Sequence, residues 1–94
     1  MKREDLVKFL VENDIPFMER KLDYKGLDQI YVFERKAREL KMLHPRKYKN
    51  LFVPCIRVSH FDEERWYTRD CGWTEWKKPE EVIDMIKRME TEAS

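Results

Sequence analysis

Three of the four prolines, Pro16, Pro45 and Pro79, fall where the hydrophobic period of this 94-residue chain changes, and they restrict it to short elements. Before Pro16 the period is helical. Leu6, Val7, Phe9, Leu10 and Val11 gather on one side of residues 3–13 when these are wound at about 100° per residue. Glu4, Lys8 and Glu12 take the other side at the i,i+4 spacing that supports a solvated helix face. A residue before proline avoids helical angles, so Ile15 ends this helix. After Pro16 the helical period is lost. Residues 17–24 and 29–33 read as strands joined at Lys25-Gly26, where glycine supplies the positive φ of a tight turn. The β-branched and aromatic run Ile30-Tyr31-Val32-Phe33 predicts a central strand.

From Phe33 to Pro45 the period is helical again, with Phe33, Ala37, Leu40 and Leu43 on one stripe that is expected to dock on the core. Residues 51–60 and 65–70 predict a second hairpin around Phe61-Asp62-Glu63-Glu64, a glycine-free turn that suits a four-residue loop. Pro54 has no N–H to donate, so its strand begins late or lies at a sheet edge. Such an edge, or an open sheet face, leaves room for a homodimer. Residues 71–78 read as a connection whose Trp73 and Trp76 either cap the core beneath the last helix or form an exposed aromatic hot spot for a protein partner. Pro79 at a first helical position, with Glu80 and Glu81 behind it, opens the last helix. Val82, Met85, Ile86 and Met89 form its stripe, and residues 91–94 are expected to fray. The expected fold is α+β, in the order α-β-β-α-β-β-α. It is a four-stranded, mainly antiparallel sheet with helices packed on one face, built by residues 1–94 as a single small domain. The other face of the sheet is the natural binding surface.

Composition supports a packed chain. Hydrophobic and charged residues each make up 41%, and three Trp, four Tyr and five Phe supply large buried areas. That is not the profile of a disordered chain. No apolar run is long enough for a signal peptide or a membrane span, so no membrane role is expected and the cytoplasm is the expected location. Two cysteines, Cys55 and Cys71, are too few for a disulfide scaffold, although a cross-strand pairing is geometrically conceivable. Few glycines and amides beside abundant Lys, Glu and Arg suit a heat-adapted source.

Charge then points to a partner. Residues 34–49 hold seven Lys/Arg and two Glu, although the whole chain has a net charge of only +1. Residues 51–94 carry seven basic and ten acidic residues, so the chain is polarised along its length. Clustered cations neutralise phosphates. Arg35, Arg38, Lys41, Arg46, Lys47, Tyr48 and Lys49 are the candidate contacts to nucleic acid or another anion. Arg46 to Lys49 stand out, because the loop after His44-Pro45 gives them no structural task. The expected function is a small intracellular binding or regulatory domain without catalysis, docking an anionic surface, with nucleic acid favoured. An acidic protein surface is the rival partner. The chain would then be an inhibitor or accessory factor of the compact kind that viruses and mobile elements encode, with Trp66, Tyr67 and Arg69 as interface candidates.

Enzymatic readings are thinner. Glu34-Arg35-Lys36 matches the E-x-K half of a metal-dependent nuclease site, which also needs an upstream carboxylate such as Asp23 or Glu19. The hairpin geometry sets Asp23 at the far end from Glu34. Cys55, His60, Cys71 and His44 lack the paired spacing of a zinc site. No cysteine has an evident pKa-lowering neighbour, and two glycines cannot make a phosphate loop. No cofactor, metal or catalytic residue is therefore assigned.

Overall fold

The computed structural model describes residues 1–22, 27–33, 39, 43–46, 55–70 and 72–92, with side chains outside the account at 22, 27, 55 and 92. The elements run α1 (Arg3–Glu12), β1 (Phe17–Leu22), β2 (Leu27–Phe33), β3 (Cys55–Ser59), β4 (Trp66–Asp70), β5 (Trp73–Lys77) and α2 (Pro79–Glu92). The five strands form one sheet in the order β1-β2-β3-β4-β5, antiparallel throughout. The chain is thus α+β, but the sheet has five strands rather than four. The extra strand is β5, in place of the expected tryptophan-bearing connection. Gly72, at φ 85°, makes the turn into it, and that backbone angle favours a residue without Cβ.

Both helices cover the same sheet face. Leu6 and Leu10 of α1 and Val82 and Ile86 of α2 join Ile30, Val32, Ile56, Val58 and Trp66 in one buried cluster. The wholly buried strand residues thus lie on β2, β3 and β4, while β1 and β5 are the sheet's edges. Burial of this apolar set is the main stabilising term, at roughly 25 cal/mol per Å². Helix starts follow local chemistry. The Lys2 amide donates to Asp5 Oδ2 at 2.6 Å, and the Lys78 amide donates to Glu81 Oε2 at 3.2 Å. Each side chain reaches back to satisfy an amide that has no intrahelical partner.

Several expectations change. Phe33 closes β2 and does not open a helix. Glu39 and Leu43 are helical, but Leu43 is 73% exposed, so it does not dock on the core. Ala37 and Leu40 lie outside the described residues. So do Pro54, Asp23, Glu34, Lys36 and Cys71, and with them the E-x-K and cysteine-pair readings. β3 lies between β2 and β4, so it is not the edge considered for a homodimer. Instead of fraying at residue 91, α2 continues to Glu92, and the Thr91 hydroxyl donates to the Lys87 carbonyl at 2.9 Å. Among the described residues no helix is long and apolar enough to cross a membrane.

Candidate functional site

Antiparallel register decides which side chains share a face, because directly opposed residues project the same way and neighbours along a strand alternate. Ile30 and Val32 belong to the buried cluster, so their parity marks the helix-covered face. That face carries Glu19, Asp28, Asp70 and Glu75, which are all the carboxylates within the five strands. They have partners there. Arg3 donates to Glu19 at 2.8 Å and lies 3.4 Å from Asp28, the latter an ion pair without hydrogen-bond geometry. Lys77 pairs with Glu75.

The opposite face carries the arginines. Arg20, Arg57 and Arg69 are all the arginines within the strands, and all three have outer parity. One row across the sheet reads Met18, Tyr31, Arg57, Arg69, Thr74; the next reads Arg20, Gln29, Ser59, Tyr67, Trp76. No described helix packs on this side. Arg57 stands directly opposite Arg69. Like charges in that position are destabilising. The fold accepts this repulsion in a row where no strand carboxylate could relieve it.

Aromatic rings share the face. Tyr67 and Trp76 are cross-strand partners with centroids 5.1 Å apart and planes tilted by 51°. The Arg65 guanidinium carbon lies 4.5 Å from the Trp76 ring centroid. The hydroxyl of Tyr31 donates to Gln29 Oε1 at 3.2 Å, which fixes its ring direction. His60 joins from the end of β3. Simple alternation would send it to the helix side, but its φ is +50°. That left-handed residue swings the ring outward, edge-on to Tyr67 at 5.6 Å and to Trp76 at 6.1 Å. The Ser59 hydroxyl and His60 Nδ1 are in hydrogen-bond contact at 3.1 Å. Left-handed backbone costs a non-glycine residue about 1–2 kcal/mol, and more if it is β-branched. His60→Val is therefore expected to destabilise the fold by about 1–2 kcal/mol relative to His60→Gly, although exposed positions usually stay within about 0.5 kcal/mol. Urea midpoints of the two variants test it.

The acidic turn keeps clear of this surface. Phe61 packs edge-on to Trp66 at 5.3 Å, and the α-amino group of Met1 donates to the Glu63 carbonyl at 3.3 Å. Both contacts draw residues 61–63 toward α1.

Of the expected site residues, Tyr67 and Arg69 lie on the outer face. Trp66, expected at an interface, is 0% exposed in the core and cannot offer its ring to a partner in this fold. Arg46 is exposed. Arg35, Arg38, Lys41, Lys47, Tyr48 and Lys49 lie outside the described residues. His60, weighed as a zinc ligand, faces Tyr67 and Trp76. Trp73 and Trp76, weighed as core caps or as exposed aromatics, are exposed at 76% and 44%. Arg20, Tyr31 and Arg57 were not among the expected residues. Their common strand parity was the available signal, but parity has meaning only once pairing is known. Comparison with known protein families, with curated proteins and with solved structures finds no match.

Proposed function

We propose that this chain is a small, non-enzymatic, intracellular nucleic-acid-binding domain whose contact surface is the outer face of its sheet. The observation that carries this is the separation of arginines from carboxylates across the sheet, with the strand lysines Lys21 and Lys77 on the carboxylate side. Its strand arginines have outer parity, its strand carboxylates have inner parity, and Arg57 opposes Arg69. A phosphate lying between two opposed guanidinium groups turns their repulsion into two charge-assisted contacts. A folded chain gains nothing from that arrangement alone; an anion-bound one does. Aromatic rings beside cations are what bases and phosphates together require.

The chain leaves β2 at Phe33 and returns in β3 at Cys55, and these two residues pair across the sheet. Residues 34–49 are thus covalently tied to one end of the arginine face.

A labelled oligonucleotide, titrated at about 50 and 200 mM salt, tests the proposal. Binding at low salt should weaken steeply, with a slope of about 0.7–0.9 per phosphate neutralised. Absence of binding at low salt would rule it out. An acidic protein partner is the second reading, and Trp73 favours it. This indole is 76% exposed on the edge strand β5, where a docking chain could reach it. Such binding would survive the higher salt and depend on Trp73.

A further inference from the structure

Building on the nucleic-acid reading, we infer that the outer face selects a single strand over a duplex. Bases stack on the Tyr67–Trp76 pair and on Tyr31, and the phosphates follow Arg57 and Arg69. Stacking needs a base whose flat surface is free. A duplex keeps its bases stacked on one another and would meet this face with phosphates alone, leaving the rings unused. A single strand can turn bases onto a ring, and any base will do because each has a π-face.

The rings are arranged for that use. Trp76 keeps 44% of its surface exposed although Tyr67, His60 and Arg65 all touch it. Its neighbours therefore fix its direction without hiding it. Arg65 extends the same surface, since a guanidinium plane also stacks on a base. Tyr31 sits two strands away from Tyr67, roughly 10 Å across the sheet at about 4.8 Å per strand. On the strand between them stand Arg57, opposite Tyr31, and Ser59, opposite Tyr67, and Ser59 is only 2% exposed because its neighbours close over it. The two aromatic positions are thus separated by one strand. Arg57 and Arg69 stand in the row that begins at Met18 and Tyr31, so cations flank both ring positions.

His60 adds to the same surface. Its left-handed conformation brings a third ring against Tyr67 and Trp76.

The test uses a labelled single strand of about 15 nucleotides and the matching duplex, titrated by anisotropy in low and moderate salt. The single strand is expected to bind at least about tenfold tighter. Trp76→Thr, which suits a strand, should weaken single-strand binding about tenfold, leave the duplex unchanged and preserve the salt slope. Trp76→Phe keeps a ring and should stay within about threefold of the original. Tyr31→Val is the second, independent variant, with the same expected loss as Trp76→Thr. Equal affinity for strand and duplex overturns the inference and leaves the nucleic-acid reading standing. So do Trp76→Thr and Tyr31→Val variants that keep both their unfolding midpoint and the original affinity. If neither oligonucleotide binds in low salt, the underlying reading fails and takes this inference with it.

Discussion

Trp66→Ala is expected to lower the unfolding free energy by about 3–5 kcal/mol, the range for removing a large buried aromatic. Its ring is wholly enclosed and meets Phe61 edge-on at 5.3 Å. Its Nε1 donates to the Asp62 carbonyl at 2.9 Å, so one side chain both fills the core and ties down the β3–β4 turn. A domain of this size has roughly 5–14 kcal/mol to lose. The variant should therefore unfold at a urea concentration lower by about 1.5–5 M, with a slope near 1–2 kcal/mol/M. Trp73→Ala is the matched control. At 76% exposure it should change stability by less than about 0.5 kcal/mol. Equal effects at the two tryptophans would show that Trp66 is not the core residue described.

Arg69→Glu should move binding and stability in opposite directions. In the sheet Arg69 faces Arg57 directly, so the substitution replaces a repulsive cross-strand pair with an attractive one. That is expected to stabilise the fold by roughly 0.2–1 kcal/mol. For an anionic ligand the same change removes one cation and neutralises a second. Lost charged hydrogen bonds of about 1.5–3 kcal/mol predict an affinity reduced by about 10–150-fold in low salt. The salt slope should fall by one to two phosphate contacts, at about 0.7 each for a single strand. Thermal unfolding and oligonucleotide titration of one protein sample read both quantities. A variant that is less stable and binds as before would show that Arg69 serves the fold and not the ligand. The opposite outcome is the signature of a residue held for binding at some cost to the fold.

Legibility in the sequence followed burial. Elements that bury a full apolar face could be read from their period. Leu6 and Leu10 mark α1, Ile30 and Val32 mark β2, and Val82 and Ile86 mark α2. β5 could not be read that way. Its helix-side residues are Trp73, Glu75 and Lys77, and its outer residues are Thr74 and Trp76, so neither face is uniformly apolar. An edge strand with little core beneath it has no need of the alternation that identifies a strand. The punctuation was present, since Gly72 stands between Asp70 and Trp73 at a turn that needs its positive φ.

The site was harder to read than the fold because its residues are separated in sequence. Arg20, Arg57 and Arg69 lie on three strands, and only the pairing register aligns them. A slip of one residue in any pairing would send that strand's arginine to the helix side. Local charge density therefore drew the sequence reading toward residues 34–49, while the arginines of the outer face looked unremarkable one by one. Trp66 illustrates the converse. Its neighbours Arg65 and Arg69 made it look like a surface anchor, yet its own parity belongs with Thr68 and the core.

The strand order also bears on how the molecule forms. Strands that follow one another in the chain are neighbours in the sheet, so three of the four pairings need only short connections. The pairing of β2 with β3 is the exception, since it must close over residues 34–54. Loop-closure entropy makes that step the costliest contact to reach early. The unit β3-β4-β5 can pair before it, and this unit already contains Arg57, Arg69, Tyr67 and Trp76. Most of the outer-face arginines and rings thus lie in a unit whose pairings close over short connections. The β1–β2 hairpin, also closed over a short connection, brings Arg20 and Tyr31 to that face through the one long-range pairing.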